Sequence, residues 1–458
     1  MTDIIANYEN DSAYIHNLCS DLENNAALVT KAIRENVDVK RGLRNADGTG
    51  VMVGYTAVGN VIGYSIIDGE RVPMEGHLSY GGYNVMDLID GYQREDRFGF
   101  SEICYLLLLG SLPNRTQFEE FNNYLYDHMS LPDNFTEDMI LKHPSRDIMN
   151  QLGRAVLALY AADPNPDSND PENILRQCFS LIAQFPTIIA HSYATKRHYF
   201  DNASLYLHRP VKGLSIAENF LRAIRPDKQY TREEAKLLDL CLCAHAEHGG
   251  GNNSTFTCRV LSSSGTDTYS AISAAVGSLK GPKHGGANRK VMHQFEEFKE
   301  NVTDWTDDGQ VRDYIRKVLN KEAGDGSGLV YGMGHAVYTL SDPRSVLLKK
   351  YARSLAEKTG YIKELDLMES IERLTPGVFA EITGSEKIMC ANVDMYSGLV
   401  YSMLNIPAEL FTPVFAMARV PGWCAHRLEE VVTCNRIMRP AYKALFKHKD
   451  YVPLLDRD

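Results

Sequence analysis

The chain has 458 residues, of which 44% are hydrophobic and 23% are charged, a balance typical of soluble globular proteins and a length that predicts two or three domains. Its formal net charge of −11 argues against nucleic acid or an anionic membrane surface as the main partner. Nine cysteines, an odd number with no pair spaced Cys-x-x-Cys, predict reduced thiols in a reducing compartment.

The N-terminal sequence predicts neither export nor membrane insertion. Residues 1–18 are acidic and lack both an apolar signal core and an arginine-rich amphipathic pattern. No apolar stretch approaches the roughly 20 residues that a helix needs to cross a bilayer. We therefore expect a cytoplasmic protein.

The chain reads as mainly α-helical, with one β-element near its start. Residues 54–83 alternate β-branched or aromatic with polar residues around the Asp-Gly pair at 68–69, which predicts a β-hairpin. The apolar block Phe100–Leu109 predicts a helix, and residues 174–193 have helical spacing that we expect Pro186 to interrupt. The predicted fold class is mainly α with a small N-terminal hairpin.

Two histidines follow a strong helix signal. Thr231 and Glu234 form a capping box that opens a helix expected to run to the glycines at 249–251, with His245 and His248 on its core side in the last turn. Because the carboxy end of a helix favours a cation, a protonated histidine there could hold a carboxylate. Two alternatives stay open at this point: core histidines that bond the backbone, and a metal site, which lacks an H-E-x-x-H pattern and an obvious third ligand.

A glycine-rich segment carries His284. The residues GPKHGGAN precede a helical stretch at 289–298, so His284 lies at or before a helix N-terminus, where the dipole disfavours the imidazolium form. A neutral histidine there can donate a hydrogen bond to a carbonyl that becomes an enolate. The alternative is a glycine-rich turn with an incidental histidine.

The segment GMGHAVY contains His335 and is followed by Asp342, Pro343 and Arg344. Asp at the N-cap and Pro at the first position predict a helix through Lys358. Arg344 then lies in the first turn, where a cation opposes the helix dipole, and this conflict indicates a bound anion. The alternative is a surface arginine paired with Asp342.

Three further charged positions occur near the C-terminus. Asp394, in NVDMYSG, opens another helix, where its charged form would be stabilised and available as a base; the alternative is an ordinary N-terminal helix acid. Arg419, in ARVPGW, and Arg439, in RIMRP, carry guanidinium forks that recognise carboxylates bidentately. The alternative for these arginines is a solvated basic face.

Six motifs together resemble the citrate synthase family: HAEHGGGNNST, GPKHGGAN, GMGHAVY with DPR, NVDMYSG, ARVPGW and RIMRP, in that order between residues 245 and 440. The resemblance implies a two-domain helical fold. Residues 1–285 would form a large domain that includes the hairpin, 286–400 a small mobile domain that binds CoA, and 401–458 a return to the large domain.

The resemblance also implies the chemistry. His284 would bond the thioester carbonyl, Asp394 would take a proton from the thioester's methyl group, and His335 would polarise the ketone of oxaloacetate and protonate the new alkoxide. The reaction expected is condensation of acetyl-CoA with oxaloacetate, followed by hydrolysis of citryl-CoA to citrate and CoA. Acetyl-CoA is then a substrate, and no permanently bound cofactor or metal is expected.

Binding residues follow from the same match. His248, Arg344, Arg419 and Arg439 would hold substrate carboxylates, with Arg439 lent by the neighbouring subunit of a homodimer. The segment implied to wrap CoA contains Leu329, Val330, Tyr331, Gly332 and Gly334.

Two positions depart from the family pattern. The usual Tyr-Arg-Gly near the hairpin is Tyr80-Gly81-Gly82 here, so any role of that arginine is absent. Thr339 stands where a lysine or arginine that contacts CoA is usual, so contacts to the CoA phosphates are expected elsewhere, with Lys349 and Lys350 as candidates. Three rival functions stay open: 2-methylcitrate synthase with propionyl-CoA as donor, a metal-dependent hydrolase that uses the histidine motifs, and a non-catalytic member of the family. A one-carbon change in the acyl group is discriminated by only about 1–3 kcal/mol.

Overall fold

The structure is a computed structural model that describes residues 26–27, 30–31, 39–45, 49–385, 388–433, 436–445 and 448–457. The chain divides into two compact units, residues 1–55 with 438–458 and residues 56–437. The smaller unit contains short 3-10 turns at Arg41–Leu43 and Leu454–Asp456. The larger unit carries the sheet and the helices described below.

The larger unit is mainly α-helical, as the sequence predicts. Its helices are α1 (Val85–Arg94), α2 (Phe100–Leu109), α3 (Arg115–Asp127), α4 (Ile148–Leu159), α5 (Pro171–Asp201), α6 (Ile216–Ile224), α7 (Arg232–His245), α8 (Asn253–Ser262), α9 (Thr268–Lys280), α10 (Ala287–Asn301), α11 (Asp308–Leu319), α12 (Pro343–Thr359), α13 (Ile362–Thr383), α14 (Asp394–Met403) and α15 (Phe411–Thr433). A π-helical turn at Thr136–Leu141 and 3-10 turns at Tyr160–Ala162 and Ala408–Leu410 join some of them.

The predicted hairpin is confirmed. Strands β1 (Gly59–Ile67) and β2 (Glu70–Tyr80) pair antiparallel, and the short β3 (Tyr83–Asn84) extends the sheet in the order β1-β2-β3. The two residues between β1 and β2, Asp68 and Gly69, have φ of 51° and 82°. Positive φ at both positions is what a tight type I′ turn needs, which explains the Asp-Gly pair.

The core is organised around α15. This helix packs against α2, α5, α7, α8 and α9 and is buried along most of its length. Trp423 and Arg419, both on α15, have no exposed surface. Because α15 runs through the centre of the larger unit, a polar side chain on it must find its partners inside the protein.

The predicted interruption at Pro186 is wrong. Helix α5 continues through Pro186 over 31 residues. A proline inside a helix removes one backbone hydrogen bond and normally costs about 3 kcal/mol or more. Here the residues on both sides, among them Phe185 and Ile188, are fully buried, so apolar packing offsets that cost.

The capping box at Thr231 is confirmed, but the helix it opens is shorter than predicted. The Thr231 hydroxyl accepts from the amide of Glu234, whose carboxylate accepts from the amide of Thr231. Helix α7 then ends at His245, before the glycines at 249–251. His248 therefore lies on the loop that follows α7 rather than in its last turn.

Candidate active site

His284 lies in the turn between α9 and α10, just before the N-terminus of α10 as predicted. Its Nε2 is 3.0 Å from the hydroxyl of Ser254 on α8, and that hydroxyl accepts a hydrogen bond of 3.1 Å from the indole of Trp423. Burial, followed by the charge of Arg419, lowers the pKa of His284 to about 4. The predicted neutral state is thus supported, although burial rather than the helix dipole is its main cause.

The tautomer of His284 depends on which acceptor takes the hydrogen of Ser254. The indole N–H of Trp423 can only donate, so the Ser254 oxygen accepts there and has one hydrogen of its own to give. That hydrogen reaches either Nε2 of His284 or the Asn252 carbonyl oxygen, each 3.0 Å away. When it goes to His284, the neutral ring carries its proton on Nδ1.

Asp394 is the first residue of α14, as predicted, and its amide donates to the side chain of Asn392 at 2.9 Å. Its pKa, however, is raised to about 6. Burial is the largest cause and the charge of Asp342 adds to it, while Arg344 and Arg419 act in the opposite direction. The expectation that the helix N-terminus governs this carboxyl is wrong: loss of solvent outweighs the dipole. At neutral pH the group remains mainly ionised.

His335 is held by backbone donors. The amides of Val337 and Tyr338 both donate to its Nδ1 at 3.0 Å, so the neutral ring carries its proton on Nε2. The ring of Tyr338 stacks on His335 with centroids 4.6 Å apart, and the ring of His248 meets it edge-on at 5.1 Å. His335 and His248 are therefore neighbours, although they are far apart in sequence.

The prediction that His248 is cationic is wrong. Burial, followed by the positive charge of Arg344, holds the pKa of His248 well below its usual value. The same two causes, in the same order, lower the pKa of His245, whose ring packs against Phe415 at 4.6 Å. Both histidines are thus neutral at pH 7, and His248 can bind a carboxylate only as a neutral hydrogen-bond donor.

Arg344 lies in the first turn of α12, as predicted, and pairs with Asp342. Its Nε and Nη2 donate to the two Asp342 oxygens at 3.0 and 2.7 Å, and the amides of Arg344 and Val393 donate to the same carboxylate. Arg344 is 3% exposed and Asp342 is 1% exposed. The pairing alternative is correct, but the pair is buried instead of lying on the surface. The negative charge of Asp342 also offsets the unfavourable interaction of the Arg344 cation with the dipole of α12.

Arg419 is different because most of its donors are unsatisfied. It lies in the middle of α15, and its Nε donates to the carbonyl of His245 at 2.6 Å. Among the described residues, neither Nη1 nor Nη2 has a hydrogen-bond partner, although both atoms are buried. Burial lowers the pKa of Arg419 to about 10; Glu247 and Asp394 oppose this, and Arg344 adds to it. A buried cation with free donors is costly, and an anion that accepts from them would remove that cost.

The charges of the site interact with one another. Arg344 and Arg419 both act on Asp394, His245 and His248, and Arg419 also acts on His284. Residues from five separated motifs therefore surround one location. Arg439, by contrast, belongs to the unit 1–55 with 438–458, where its side chain is exposed. Its predicted role stays a prediction.

The segment predicted to wrap CoA is fixed by α10 and by the start of α14. The side-chain amide of Gln294 donates to the carbonyl of Leu329 and accepts from the amide of Tyr331, each at 2.9 Å. Gly332 has a φ of 86°, and a Cβ there would lie 2.8 Å from the sulfur of Met395. The amide of Gly334 donates to the carbonyl of Cys390 at 2.7 Å. The segment thus lies against the residues that lead to Asp394.

A cleft of about 670 Å³ opens beside Tyr331. Its lining includes four basic residues, Arg146, Lys280, Arg289 and Lys290, and four acidic ones, Asp147, Glu297, Asp325 and Glu409. The ammonium of Lys290 is 3.2 Å from the hydroxyl of Tyr331. None of these four basic residues was predicted from the sequence, although Lys280, Arg289 and Lys290 directly flank the motif GPKHGGAN.

The two lysines suggested as CoA contacts form ion pairs with carboxylates of this chain. Lys349 pairs with Glu372 at 2.8 Å, and Lys350 pairs with Asp90 at 2.9 Å. The structure therefore gives no support to a role for these lysines at the phosphates of CoA.

Several residues that support the site were not predicted: Ser254, Asn392, Tyr338, and the buried pair of Glu247 and His426. His426 Nε2 lies 2.9 Å from Glu247, whose other neighbours include the amide of Gly249. This pair fixes the loop that carries His248. Ser254 and Glu247 lie inside the motif HAEHGGGNNST, so the motif could have marked them as site residues. Their partners could not be predicted, because His284 is 30 residues from Ser254 and His426 is 179 residues from Glu247.

The described residues form neither a metal site nor a membrane-spanning helix. Over the described ranges, no group of three or more His, Cys, Asp or Glu side chains is arranged to hold a metal ion. Likewise, no helix in the part of the chain that the structure describes is long and apolar enough to cross a membrane. Seven of the nine cysteines lie in that part, and all seven are buried free thiols, in agreement with the expected reduced state.

Known proteins match this chain over most of its length. The family profile described as "Citrate synthase, C-terminal domain" matches residues 48–441. A Synechocystis protein named citrate synthase is 35% identical over 387 residues, which cover 84% of this chain and 89% of that protein. A Corynebacterium glutamicum protein named 2-methylcitrate synthase 1 is 31% identical and covers 92% of this chain, with 98% of its own length matched.

A solved structure matches as well. It is described as the ternary complex of carboxymethyl coenzyme A and oxaloacetate with citrate synthase from Thermoplasma acidophilum. It is 26% identical, has a TM-score of 0.74, and covers 92% of this chain and 100% of that one. With the family profile, the relatives and the fold in agreement, the chain belongs to the citrate synthase family and is an acyltransferase.

Proposed function

We propose that this enzyme condenses acetyl-CoA with oxaloacetate and hydrolyses the resulting citryl-CoA to citrate and CoA. The observation that carries the proposal is Arg419, a fully buried cation that interacts with Asp394 and keeps Nη1 and Nη2 without a partner among the described residues. An acidic protein that binds a dicarboxylate needs such locally concentrated donors.

The first chemical step is removal of a proton from the methyl group of the thioester. Asp394 is the base, because it is ionised at neutral pH and its burial leaves it weakly solvated. Such a proton is too weakly acidic for a carboxylate alone. His284, neutral and with its Nδ1–H free to donate when Ser254 bonds Nε2, stabilises the developing enolate oxygen.

The second step joins the enol carbon to the ketone carbon of oxaloacetate. His335 donates from Nε2 to the ketone oxygen and passes its proton to that oxygen as the alkoxide forms. Arg419 and Arg344 hold the carboxylates of oxaloacetate, and His248 donates to a carboxylate as a neutral ring. Water then cleaves the citryl thioester and releases CoA.

We assign the phosphates of CoA to the basic side chains of the cleft beside Tyr331. Arg146, Lys280, Arg289 and Lys290 line it, and guanidinium and ammonium groups are the usual phosphate ligands. The segment 329–334 adjoins this cleft and would wrap the adenine. Under this proposal residues 286–400 act as the small domain, which closes over oxaloacetate and excludes water before condensation.

The remaining family properties are proposals as well. We expect a cytoplasmic homodimer in which Arg439 of one subunit completes the carboxylate site of the other. The acidic composition, the buried reduced thiols and the exposed side chain of Arg439 all suit this arrangement.

The test is turnover of oxaloacetate with acetyl-CoA, followed as release of free thiol, with propionyl-CoA as the competing donor. The proposal predicts release with acetyl-CoA, and absence of release with both donors would contradict it. Asp394→Asn should abolish release yet leave oxaloacetate binding, measured by calorimetry, nearly unchanged. Asp308→Asn, which alters an exposed carboxylate paired with Arg373, is the matched control and should turn over like the parent.

Propionyl-CoA is the one specific alternative donor. The Corynebacterium glutamicum relative named 2-methylcitrate synthase 1 matches nearly its whole length, so the fold alone does not separate the two donors. A hydrophobic pocket discriminates one methylene by roughly 10- to 200-fold at most. The ratio of kcat/KM for the two thioesters therefore decides which activity dominates.

A further inference from the structure

The β1–β2 hairpin has an irregular ladder at one point. Ile62 pairs with His77 and Tyr64 pairs with Pro73, so one residue of β1, Gly63, faces three residues of β2, 74–76. Such a bulge leaves backbone groups without ladder partners, and bulges are over-represented beside active sites. The groups left over here are bonded by side chains from the segment that follows His335.

Two side-chain hydroxyls form hydrogen bonds with the backbone groups of this irregular stretch. The hydroxyl of Thr339 donates to the carbonyl of Gly63 and accepts from the amide of Met74 at 3.2 Å; the carbonyl of Met74, 3.1 Å away, is a second acceptor in reach. The hydroxyl of Ser341 accepts from the amide of Gly76 at 3.1 Å. The segment 337–341 thus completes the hydrogen bonding of the hairpin.

The two glycines of the bulge allow a close approach. A Cβ on Gly63 would lie 2.5 Å from both the carbonyl oxygen of Val337 and the Cα of Tyr338. A Cβ on Gly76 would meet the carbonyl of Ser341 and would lie 2.8 Å from the ring of Tyr338. Since real Cβ atoms do not come so close, a side chain at either glycine would displace the segment.

The displaced atoms are those that orient His335. The amides of Val337 and Tyr338 donate to Nδ1 of His335, and the ring of Tyr338 stacks on it. Contact therefore runs from Gly63 through the backbone of 337–338 to the imidazole. Arg71, on β2, adds a bond of 3.4 Å to the carbonyl of Val337.

We propose that the bulged hairpin is the positioning element for His335 and that Thr339 is its key positioning residue. The family pattern has a basic residue that contacts CoA at position 339. In this chain Thr339 instead bonds the segment that follows His335 to the hairpin. The inference rests on the proposed function, in which His335 acts on the ketone of oxaloacetate.

The test is Thr339→Val, which keeps the shape of the side chain and removes the hydroxyl. Because the 337–341 segment loses its bonds to Gly63 and Met74, we expect kcat to fall about 10- to 100-fold while the KM for acetyl-CoA changes less than about twofold. Thr339→Ser restores the hydroxyl and should recover most of kcat. The ketone carbon of bound 13C-labelled oxaloacetate should shift toward its free value in Thr339→Val, which a purely structural role would not produce in folded enzyme.

The matched control is Thr359→Val at the far end of α12, where the same change removes one bond to the carbonyl of Leu355. It should keep the kcat and the 13C shift of the parent. If Thr339→Val does not fold, the milder Ser341→Ala takes its place with the same two readouts. Parental kcat and 13C shift in the folded variant would overturn the inference. Absence of turnover in the parent enzyme would instead overturn the proposed function.

Discussion

The two arginines at the centre of the site are both buried, but they differ in how many of their hydrogen-bond donors have a partner. The Nε and Nη2 groups of Arg344 donate to the carboxylate of Asp342, which also accepts from two backbone amides. Arg419 has one bond, from Nε to a carbonyl, and its two Nη atoms have no partner in the described ranges. One region of the site is therefore complete without substrate, and the other is not.

The difference separates stability from activity. A satisfied buried ion pair holds structure, and breaking it leaves an uncompensated charge. An unsatisfied buried cation costs stability and is retained because something else accepts from it. We therefore expect changes at Arg344 to cost stability as well as oxaloacetate binding, and changes at Arg419 to act mainly on turnover.

The largest expected effect is that of Arg419→Met. Loss of a buried, charged partner of a substrate carboxylate costs about 2–5 kcal/mol, so kcat/KM for oxaloacetate should fall by roughly 30- to 4,000-fold. The apparent melting temperature should stay equal or rise, because the buried cation is removed. Steady-state kinetics and calorimetry measure both. Arg419→Lys is the matched variant: it keeps the charge without the fork and should also be impaired. A large loss of stability in Arg419→Met would contradict the comparison.

Arg344→Met should destabilise the fold in addition to weakening the binding of oxaloacetate. It leaves the Asp342 carboxylate buried with only backbone donors, and we expect a loss of about 3–5 kcal/mol in the free energy of unfolding. Urea titration measures it. The double variant with Asp342→Asn removes the stranded charge and should recover part of the loss. Arg353→Met is the matched control, since Arg353 pairs with Asp366 and Glu369 at the surface, where such pairs contribute about 0–1 kcal/mol.

Sequence reasoning predicted what depends on neighbours along the chain. The capping box at Thr231, the Asp-Pro start of α12 and the Asp-Gly turn of the hairpin are signals of adjacent residues, and all three are confirmed. The break at Pro186 was predicted in the same local way and is wrong, because packing by distant elements outweighs one missing backbone bond.

The state of the charged site residues could not be predicted in that way. Asp394 and His248 were assigned charges from the helix dipole, yet burial dominates the pKa of each. Burial depends on elements far apart in sequence. So does the contrast between the two arginines, since the Asp342 that pairs with Arg344 accepts from the amide of Val393, whereas Arg419 donates to the carbonyl of His245. The motifs indicate which residues assemble; the assembled fold decides their protonation and partners.

The pH dependence of turnover tests the incomplete region through Asp394. Its pKa of about 6 means that the base is protonated below that value. We expect kcat/KM to fall about tenfold for each pH unit below the pKa. His284, with a pKa of about 4, should add nothing above pH 5. The loss of thioester absorbance measures the rate without a thiol reagent. A profile that stays flat down to pH 5 would show that the pKa of Asp394 is not raised and that its carboxylate has hydrogen-bond donors, as that of Asp342 does.

The smallest expected effect is a gain of stability in Asp394→Asn. The folded pKa of about 6 lies above the ordinary value of 3.8, so the folded state binds the proton more tightly than the unfolded state. Ionisation therefore costs stability above pH 6, and the cost vanishes below about pH 4. Asparagine removes it, for a gain of about 1–3 kcal/mol at pH 7.5 that shrinks as the pH falls.

Asp163→Asn is the control of opposite sign. Although burial opposes it, a hydrogen bond from Tyr269 and the pair with Arg176 hold the pKa of Asp163 low. Its ionised form stabilises the fold, so the substitution should cause a loss of stability. That loss should be the same at pH 7.5 and 5, because it shrinks only below the ordinary pKa of 3.8. Urea titrations of both variants at pH 7.5 and 5 compare them directly. If both variants lose stability at pH 7.5, Asp394 belongs with the satisfied pair of Asp342 and Arg344, and the division of the site between folding and turnover does not hold.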